Sequence, residues 1–339
     1  MTKLWKGSYF VQKDIDQIKD ILSQQHIDLE PYDLEPYKEK TDQLIQQNGK
    51  MIRAEITVLF GRNSLKKQAN QTVGIKKLHK AAAAIELLHL ATLVHDDVLD
   101  NASKRRGLTT LQHFFGNKNT VYLGDQLFTK YFQMVTDVAP SKAFIAYHAA
   151  MMEKILAGEL MQDTLKFQTE VTLPQYYEAI KGKTATLFSL AAVTGTWVEN
   201  SDEYFEEKNP NFQAAFNFGY HLGMAFQMID DLQDINPNSK TDKPKFEDIQ
   251  NGIYTLPIIL ALENDHLFKK MISTQNIKSE TIYKYFISHP ELLQRSQAIA
   301  KNFLDQAQAD LRKLADNSEI TELNKLIDKI QSLLNLTNI

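Results

Sequence analysis

The sequence contains no cysteine, so disulfide bonds and thiolate metal sites are excluded. No apolar run approaches the ~18 residues expected of a membrane-spanning helix, and the N-terminal residues turn polar too early for a signal peptide. Lysine plus arginine number 38 against 42 aspartate plus glutamate, and this net charge of −4 gives no reason to expect nucleic acid as a partner. We therefore predict a soluble, cytoplasmic protein with at most peripheral membrane contact.

The composition also lacks any mark of a domain boundary. Apolar residues make up 43% of the 339 residues, and no Pro/Gly/Ser-rich linker or block of like charge interrupts the chain. Apolar residues at helical spacing predict an amphipathic helix over residues 12–26, and one long helix is predicted over residues 73–101. We predict a single domain over residues 1–339, with residues 1–40 as an N-terminal helical cap and residues 258–339 as C-terminal helices.

The most informative stretch is IELLHLATLVHDDVLDNASKRRG, residues 85–107, in which an apolar helical run ends in Asp96, Asp97 and Asp100. Asp96 and Asp100 are four apart, so a helix would place both carboxylates on one face, where their charges repel each other. A hard cation relieves this repulsion, and Mg²⁺ is usually shared between carboxylates and a substrate phosphate. Taken alone, one such motif is as easily explained as a solvated acidic turn followed by a basic loop.

A second stretch, GYHLGMAFQMIDDLQDI, again ends an apolar helical run in an aspartate triplet, formed by Asp230, Asp231 and Asp234. Two such motifs far apart in the chain are hard to explain as solvated faces. Two opposing acidic helix faces could instead hold several Mg²⁺ ions and one diphosphate. Arg105 and Arg106, just after the first motif, carry planar guanidinium groups that suit the same phosphates.

With these motifs in this order, the sequence resembles the trans-isoprenyl diphosphate synthases, also called polyprenyl synthetases. The first triplet with its RRG tail, ending at Gly107, is similar to their first aspartate-rich motif, and the second, preceded by Phe226 and Gln227, is similar to their second. The resemblance extends from about Gly49 to Pro257. It implies an all-α fold, a single isoprenoid-synthase-type helical bundle with a central active-site cavity, and a Mg²⁺-dependent prenyltransferase.

The resemblance also assigns a binding stretch to isopentenyl diphosphate, the substrate that extends the chain. A GGKxxRP-like segment matches at Gly49, Lys50 and Arg53, whereas Asn48 and Ala54 replace the family's first glycine and its proline. The two cations are three apart, and we predict that they share one helical face. Without the rest of the pattern, a surface Lys/Arg pair would be the simpler interpretation.

Further residues come from the same resemblance. It implies that His89 and Arg106 also hold isopentenyl diphosphate, and that Lys183, Lys243 and Arg105 hold the allylic diphosphate. A lysine inside the apolar stretch YYEAIKGKTATLFSLAAVTGT is costly unless it is paired, which favours a functional role for Lys183.

Two oxygen-bearing side chains complete the predicted catalytic set. The resemblance implies that Thr184 and Gln227 present oxygen dipoles to the positive charge that develops on the prenyl carbon. Downstream, Gly252 matches the family's GKxTLP turn, whereas Phe246 stands where its GKPxGxD loop has the second glycine.

Small residues precede the first motif at the positions that face the growing prenyl tail. Ala91 and Thr92 lie five and four residues before Asp96, where farnesyl-forming members of the family often carry aromatic residues. The resemblance therefore implies a long-chain product, as in heptaprenyl or octaprenyl diphosphate synthases. The alternative is that Ala91 only packs against a neighbouring helix and that the tunnel floor lies further down.

The predicted reaction is the sequential head-to-tail condensation of isopentenyl diphosphate onto geranyl, farnesyl or geranylgeranyl diphosphate. A homodimer is the usual assembly in the family. Two alternatives stay open. The chain could be the catalytic subunit of a two-component synthase, or, against the evidence of its second aspartate motif, a terpene cyclase of the same fold.

Overall fold

Helices form nearly all of the regular structure in the computed structural model. The described residues are 9–25, 34–47, 49–65, 71–105, 107–198, 200, 209–235, 246–273 and 278–334. A 3₁₀ turn at Tyr9–Val11 is followed by α1 (Gln12–Ser23), α2 (Glu35–Gln46), α3 (Ile52–Leu65), α4 (Gln71–Leu99), β1 (Lys104–Arg105), β2 (Leu108–Thr109), α5 (Leu111–Val138), α6 (Lys142–Thr164), α7 (Leu173–Ile180), a π-helical turn (Lys181–Ala185), α8 (Thr186–Trp197), α9 (Pro210–Ile235), α10 (Glu247–Gln250), α11 (Leu256–Asn264), α12 (His266–Ile272), α13 (Ser279–Ser288), α14 (Pro290–Leu311) and α15 (Ser318–Leu334).

The middle of the bundle is built from α8 and the alanine-rich segment of α4. The four alanines Ala81–Ala84 of α4 are buried, and every residue of α8 is buried too. Alanine has the highest helix propensity, and its small side chain lets neighbouring helices approach closely. Helix α4 packs against α5, α3 and α8, while α8 packs against α3 and α9. The two helices that end in aspartate motifs, α4 and α9, therefore both lie against α8.

The outer helices are amphipathic and cover this centre. Helix α14 packs along α9, and α15 packs on α14 and α3, each burying one apolar stripe. Within the described ranges the only strands form a two-stranded antiparallel hairpin, β1–β2, so the all-α prediction is confirmed. Across the same part of the chain, no helix is both long and apolar enough to cross a membrane.

Most predicted helix positions agree with the structure, with two corrections. The helices predicted over 12–26 and 73–101 are α1 and α4, displaced by no more than three residues at either end. The predicted shared helical face of Lys50 and Arg53 is wrong. Helix α3 begins at Ile52, and Met51 has φ +53°, so Lys50 precedes the helix. The apolar stretch that contains Lys183 is not a uniform α-helix, because a π-helical turn joins α7 to α8.

A buried ion cluster attaches α1 to the bundle. Asp14 is 3% exposed, and its carboxylate lies 2.8 Å from Nη2 of Arg62 on α3 and 2.8 Å from Nε2 of His79 on α4. Burial raises the pKa of Asp14, but the hydrogen bonds and charges of His79 and Arg62 outweigh it, so the net pKa is lowered. The cluster joins three helices through one carboxylate.

Replacing Asp14 with asparagine should lower the free energy of unfolding by about 3 kcal/mol, because it leaves Arg62 without its buried anion. The lowered pKa means that Asp14 contributes stability fully above its unfolded pKa near 3.8, and that this stability is lost as the pH falls through the folded value. Urea denaturation at a series of pH values should show that the difference in free energy of unfolding between wild type and variant becomes smaller below about pH 4. Exposed Asp20 of the same helix provides the control, as Asp20→Asn should change little. A stability difference that stays constant with pH would contradict the proposed contribution of the Asp14 charge.

Candidate active site

The first aspartate motif lies at the C-terminal end of α4, and its members face different partners. The amide of Asp100 donates to the Asp96 carbonyl at 2.8 Å, so the helical turn continues through Asp100 and keeps both carboxylates on one face. Asp97 is 4% exposed and accepts a hydrogen bond of 2.6 Å from Nε of Arg105. Arg105 lies on β1, shortly after the end of α4, and pairs with Leu108 of β2.

Lys183 lies in the electrostatic field of this motif and pairs with a carboxylate outside it. Its ammonium lies 2.9 Å from the Glu159 carboxylate, and the charges of Asp96 and Asp100 also act on it. Burial lowers the pKa of Lys183, but these carboxylates outweigh it, so the net pKa is raised and the side chain stays protonated. Burial raises the pKa of Asp96, and Lys183 and Arg105 partly offset this. Lys183 is thus paired with the chain's own Glu159, and its role as a diphosphate ligand stays a prediction.

The second motif lies on α9, and one of its carboxylates accepts two side-chain hydrogen bonds. Asp231 accepts hydrogen bonds from Tyr176 Oη at 2.6 Å and from Gln227 Nε2 at 2.8 Å. Gln227 in turn accepts from Thr184 Oγ1 at 2.7 Å. Burial, joined by the charges of Asp248 and the neighbouring aspartate, raises the pKa of Asp231 to about 7. Like Asp97 in the first motif, Asp231 is held by the chain's own donors.

The π-helical turn brings the two motifs to one place. Lys183 faces Glu159 and the charges of the first motif, while its neighbour Thr184 is hydrogen-bonded through Gln227 to Asp231 in the second. A π-helical turn adds a residue to one helical turn and changes the direction of the side chains around it, and such turns are frequent at functional sites. Both carboxylate clusters therefore belong to one site, centred on two successive residues.

The predicted isopentenyl diphosphate cations lie against two aromatic rings beside the second motif. Arg53 Cζ is 4.6 Å from the centroid of the Phe188 ring, and Lys50 Nζ is 5.8 Å from that of Phe226. The two rings are 5.3 Å apart, and Phe226 directly precedes Gln227. Tertiary packing therefore places Lys50 and Arg53 side by side, although only one of them is on the helix.

Other predicted residues lie along α4 near this region. Glu86 accepts a hydrogen bond of 2.9 Å from the Ala54 amide, at the position where the family pattern has proline. His89 lies two helical turns before the first motif and its carbonyl accepts from Thr92 Oγ1 at 2.8 Å. Ala91 is fully buried and Thr92 is half-buried. No contact described for His89, Ala91 or Thr92 identifies a ligand, so their roles stay predictions.

Two described residues beyond α9, Phe246 and Gly252, have the positive φ that favours glycine. Phe246 has φ +58° and is buried, and its amide donates to the Asp234 carbonyl at 3.3 Å. Gly252 has φ +77°, and a Cβ there would lie 2.6 Å from the Phe167 ring, so this turn requires glycine. Gly49, Arg106 and Lys243 stay predicted substrate ligands, and Arg106 and Lys243 lie outside the described residues.

A cavity lies beside the first motif. Its volume is about 140 Å³, and it lies between α2, α4, the hairpin and α5, lined by Asp97, Arg105, Leu90, Val94 and Phe114 among others. It borders Asp97 and Arg105, not Asp96 or Lys183. The central cavity predicted for the prenyl tail therefore stays a prediction.

Two residues of the site escaped the sequence analysis. Glu159 lies on α6 within the apolar stretch MMEKILAGELMQD, and Tyr176 lies seven residues, or two helical turns, before Lys183. Their roles depend on contacts across helices, so neither spacing alone identifies a partner. The one available signal was a carboxylate in an apolar helix, which requires a cation nearby.

Replacing Tyr176 with phenylalanine should lower the free energy of unfolding by about 1–3 kcal/mol, because a buried carboxylate loses one of its two donors. The ring is retained, so packing around it is unchanged. Thermal and urea denaturation would measure the loss. The neighbouring Tyr177 is half-buried, and Tyr177→Phe provides the matched control. Equal stability of the two variants would show that the hydrogen bond to Asp231 contributes nothing.

The donor set of this site suits Mg²⁺ held jointly with a diphosphate. Asp96 and Asp100 share a helix face, as do Asp230 and Asp234, which are also four apart. Among the described residues, no group of three or more His, Asp or Glu side chains is arranged to hold a metal ion by itself. Mg²⁺ is typically bound through one or two carboxylates together with substrate phosphates and water. The paired aspartates match that pattern.

Comparisons with known proteins agree with these features. A family model described as Polyprenyl synthetase matches residues 35–289. Heptaprenyl diphosphate synthase component 2 of Bacillus subtilis is 31% identical over 278 residues, which is 80% of this chain and 75% of that protein. Geranylgeranyl pyrophosphate synthase from Lactobacillus brevis superposes with a TM-score of 0.84 at 28% identity, covering 98% of this chain and 100% of the other. A decaprenyl diphosphate synthase from Rhodobacter capsulatus gives 0.82 at 27% identity, covering 95% and 97%.

The family match covers well over half of the sequence. The aspartate motifs, the helical bundle and the relatives all agree with this family. The isoprenoid-synthase fold predicted from the motifs is confirmed, and members of this family use divalent metal ions. The chain belongs to the polyprenyl synthetase family, whose members are prenyltransferases.

Proposed function

We propose that this chain makes a long-chain all-trans polyprenyl diphosphate by repeated head-to-tail condensation of isopentenyl diphosphate onto an allylic diphosphate, with Mg²⁺. The observation that carries the proposal is the π-helical turn. Of its successive residues, Lys183 pairs with Glu159 within the field of Asp96 and Asp100, and Thr184 donates to Gln227 in the hydrogen-bond network of the second motif. One substrate diphosphate bound between the motifs would therefore meet cations and carboxylates from both.

Within each motif we propose that the aspartates have two different roles. Asp96, Asp100, Asp230 and Asp234 bind the metal ions, because each pair shares a helix face. Asp97 and Asp231, which were also predicted as metal ligands, are held by Arg105 and by Tyr176 with Gln227, and we propose that they orient their helix ends. Bound Mg²⁺ would neutralise the charge on the diphosphate as its bond to the prenyl carbon breaks.

The remaining side chains position the two substrates. Lys183 and Arg105, with Lys243, bind the allylic diphosphate. Lys50 and Arg53, with His89 and Arg106, hold isopentenyl diphosphate so that its double bond faces the reacting carbon. The roles of Lys243 and Arg106 rest on the motif resemblance alone.

Two oxygens are available to the carbon as it becomes positive. Thr184 donates its hydroxyl hydrogen to Gln227, so the lone pairs of Oγ1 remain free to face a cation. The amide oxygen of Gln227 accepts that hydrogen and retains a second lone pair. Both are held by Asp231 through Gln227 Nε2, so the dipoles are oriented before the substrate arrives.

The long-chain product is supported by the small residues before the first motif. Ala91 and Thr92 are small at positions of α4 where an aromatic residue would obstruct a prenyl tail. Relatives carry names from geranylgeranyl to decaprenyl diphosphate synthase, so the length itself must be measured. The allylic primer is proposed only as a class that contains geranyl, farnesyl and geranylgeranyl diphosphates.

We also propose that the enzyme works as an oligomer, most simply a homodimer. Exposed apolar side chains on α5 and α6 include Tyr122, Leu156 and Leu160, at 61%, 46% and 70% exposure. Such residues suit an interface with another chain. Because the Bacillus subtilis relative is named component 2, the partner could instead be a second synthase component.

The test uses the purified chain with labelled isopentenyl diphosphate, each allylic primer in turn, and Mg²⁺. The expected result is a series of extended polyprenyl diphosphates that requires both substrates and disappears on chelation of the metal. A product from the allylic diphosphate alone would indicate a terpene cyclase instead. Turnover only after a second polypeptide is added would support the two-component alternative. Light scattering on the same sample would give the oligomeric state.

A further inference from the structure

Glu159 is a half-buried carboxylate with no part in the reaction as described so far. Its side chain is 21% exposed and lies 2.9 Å from the Lys183 ammonium, which is 28% exposed. Burial raises the pKa of Glu159, and the charge of Lys183 partly offsets this, while Asp96 and Asp100 add repulsion. The charges of three carboxylates from two helices therefore act on one ammonium, and Glu159 is the one paired with it.

The ion pair is held in place by backbone contact between its two elements. A Cβ on Gly158, next to Glu159, would lie 2.5 Å from the Cα of Gly182, and a Cβ on Gly182 would lie 2.9 Å from the Lys154 carbonyl. Only glycine at both positions permits α6 and the π-helical turn to approach this closely. The backbones next to Glu159 and Lys183 are thus in direct contact, which limits how far the pair can separate.

The geometry explains why Lys183 needs such an anchor. A lysine side chain is long and flexible, and a free ammonium would pair with the nearest carboxylates. Besides Glu159, the carboxylates whose charges act on Lys183 are Asp96 and Asp100, whose oxygens the proposed function assigns to metal ions. An ammonium on those oxygens would compete with Mg²⁺ for them.

We propose that Glu159 is a positioning residue that holds Lys183 away from the metal-binding oxygens of Asp96 and Asp100, so that its charge serves the allylic diphosphate. The inference rests on the proposed function, since it assumes that Lys183 contacts this substrate. Glu159 acts through Lys183 and does not itself touch substrate or metal.

Glu159→Gln removes the charge but keeps the size and a hydrogen-bond acceptor. We expect the KM for the allylic diphosphate and the half-saturating Mg²⁺ concentration each to rise about tenfold, the loss of one charged contact. The KM for isopentenyl diphosphate should stay within about twofold, since Lys50 and Arg53 lie elsewhere. Glu159→Asp should restore much of the loss because it retains the charge.

Glu178→Gln is the matched control. Glu178 pairs with Lys181 of the same π-helical turn at 3.0 Å, but both side chains are exposed, at 58% and 48%. Exposed pairs of this kind contribute little, and we expect unchanged kinetics. Thermal melting of all variants, with and without inorganic pyrophosphate plus Mg²⁺, gives a readout independent of turnover. The stabilisation by pyrophosphate should shrink in Glu159→Gln and persist in Glu178→Gln.

A double-mutant cycle separates positioning from direct action. In a Lys183→Ala background, Glu159→Gln should have no further effect on Mg²⁺ dependence or pyrophosphate binding. An additional loss in that background would overturn the inference, as would wild-type behaviour of Glu159→Gln alone. If the wild-type chain forms no polyprenyl product, the proposed function itself fails. This result differs from the two outcomes that overturn only the inference about Glu159.

Discussion

Asp96→Asn is expected to lower kcat for prenyl transfer by about 10³-fold, the scale for losing one group that stabilises charge in the transition state. The variant keeps the size of the side chain and removes the charge that a metal ion requires. Asp96 is half-buried at the end of α4, and the charges of Lys183 and Asp100 act on its carboxylate. Steady-state kinetics at saturating substrates and a range of Mg²⁺ concentrations would measure the loss.

The same experiment decides whether the two aspartate motifs act together. If Asp96 and Asp230 hold metal ions on one diphosphate, the Asp96→Asn/Asp230→Asn double variant should be little worse than either single variant, because residues that act as a unit are not additive. Losses that multiply would indicate two independent sites and contradict the proposed function. Exposed Asp137, which pairs with Lys80 at 2.6 Å, supplies the control, as Asp137→Asn should retain full activity.

Ala91→Tyr is expected to shift the product from a long polyprenyl chain to about farnesyl or geranylgeranyl length. Ala91 lies five residues before Asp96, which is about 7.5 Å along the helix axis, and it is fully buried. A phenol ring at this depth would obstruct the path of a tail after its first few isoprene units. Chromatography of radiolabelled products after removal of the diphosphate would give the length distribution.

The competing explanation is that Ala91 only packs against a neighbouring helix. In that case Ala91→Tyr would strain the core by about 1–3 kcal/mol and leave the product length unchanged. Thermal melting distinguishes the two outcomes. Thr92→Phe places a second obstruction at a half-buried position. This variant still tests product length if Ala91→Tyr folds poorly. Unchanged product length in both folded variants would place the tunnel floor elsewhere.

The aspartate motifs and the long helices could be predicted because their signals are local. Periodicity of apolar residues located α1 and α4 to within three residues, and the four-residue spacing of Asp96 and Asp100 depends only on the helix that carries them. The family resemblance followed from the order of short motifs. Each of these signals lies within one element.

Local spacing did not predict what lies across helices. It gave no sign that Asp97 is bonded to Arg105 or that Asp231 is bonded to Tyr176 and Gln227. It placed Lys50 on a helix that begins only at Ile52. These partners come from distant parts of the chain, and packing of helices against one another decides which side chains meet.

The sequence by itself therefore determined the helices, the two acidic helix ends and the kind of chemistry that they suit. Tertiary structure alone decided that both ends meet at one π-helical turn, with Lys183 on one side and Thr184 on the other. The physical reason is that a helix's own period specifies the direction of a side chain only relative to its axis. Where two axes cross depends on close contacts such as that between Gly158 and Gly182, which residue spacing does not encode.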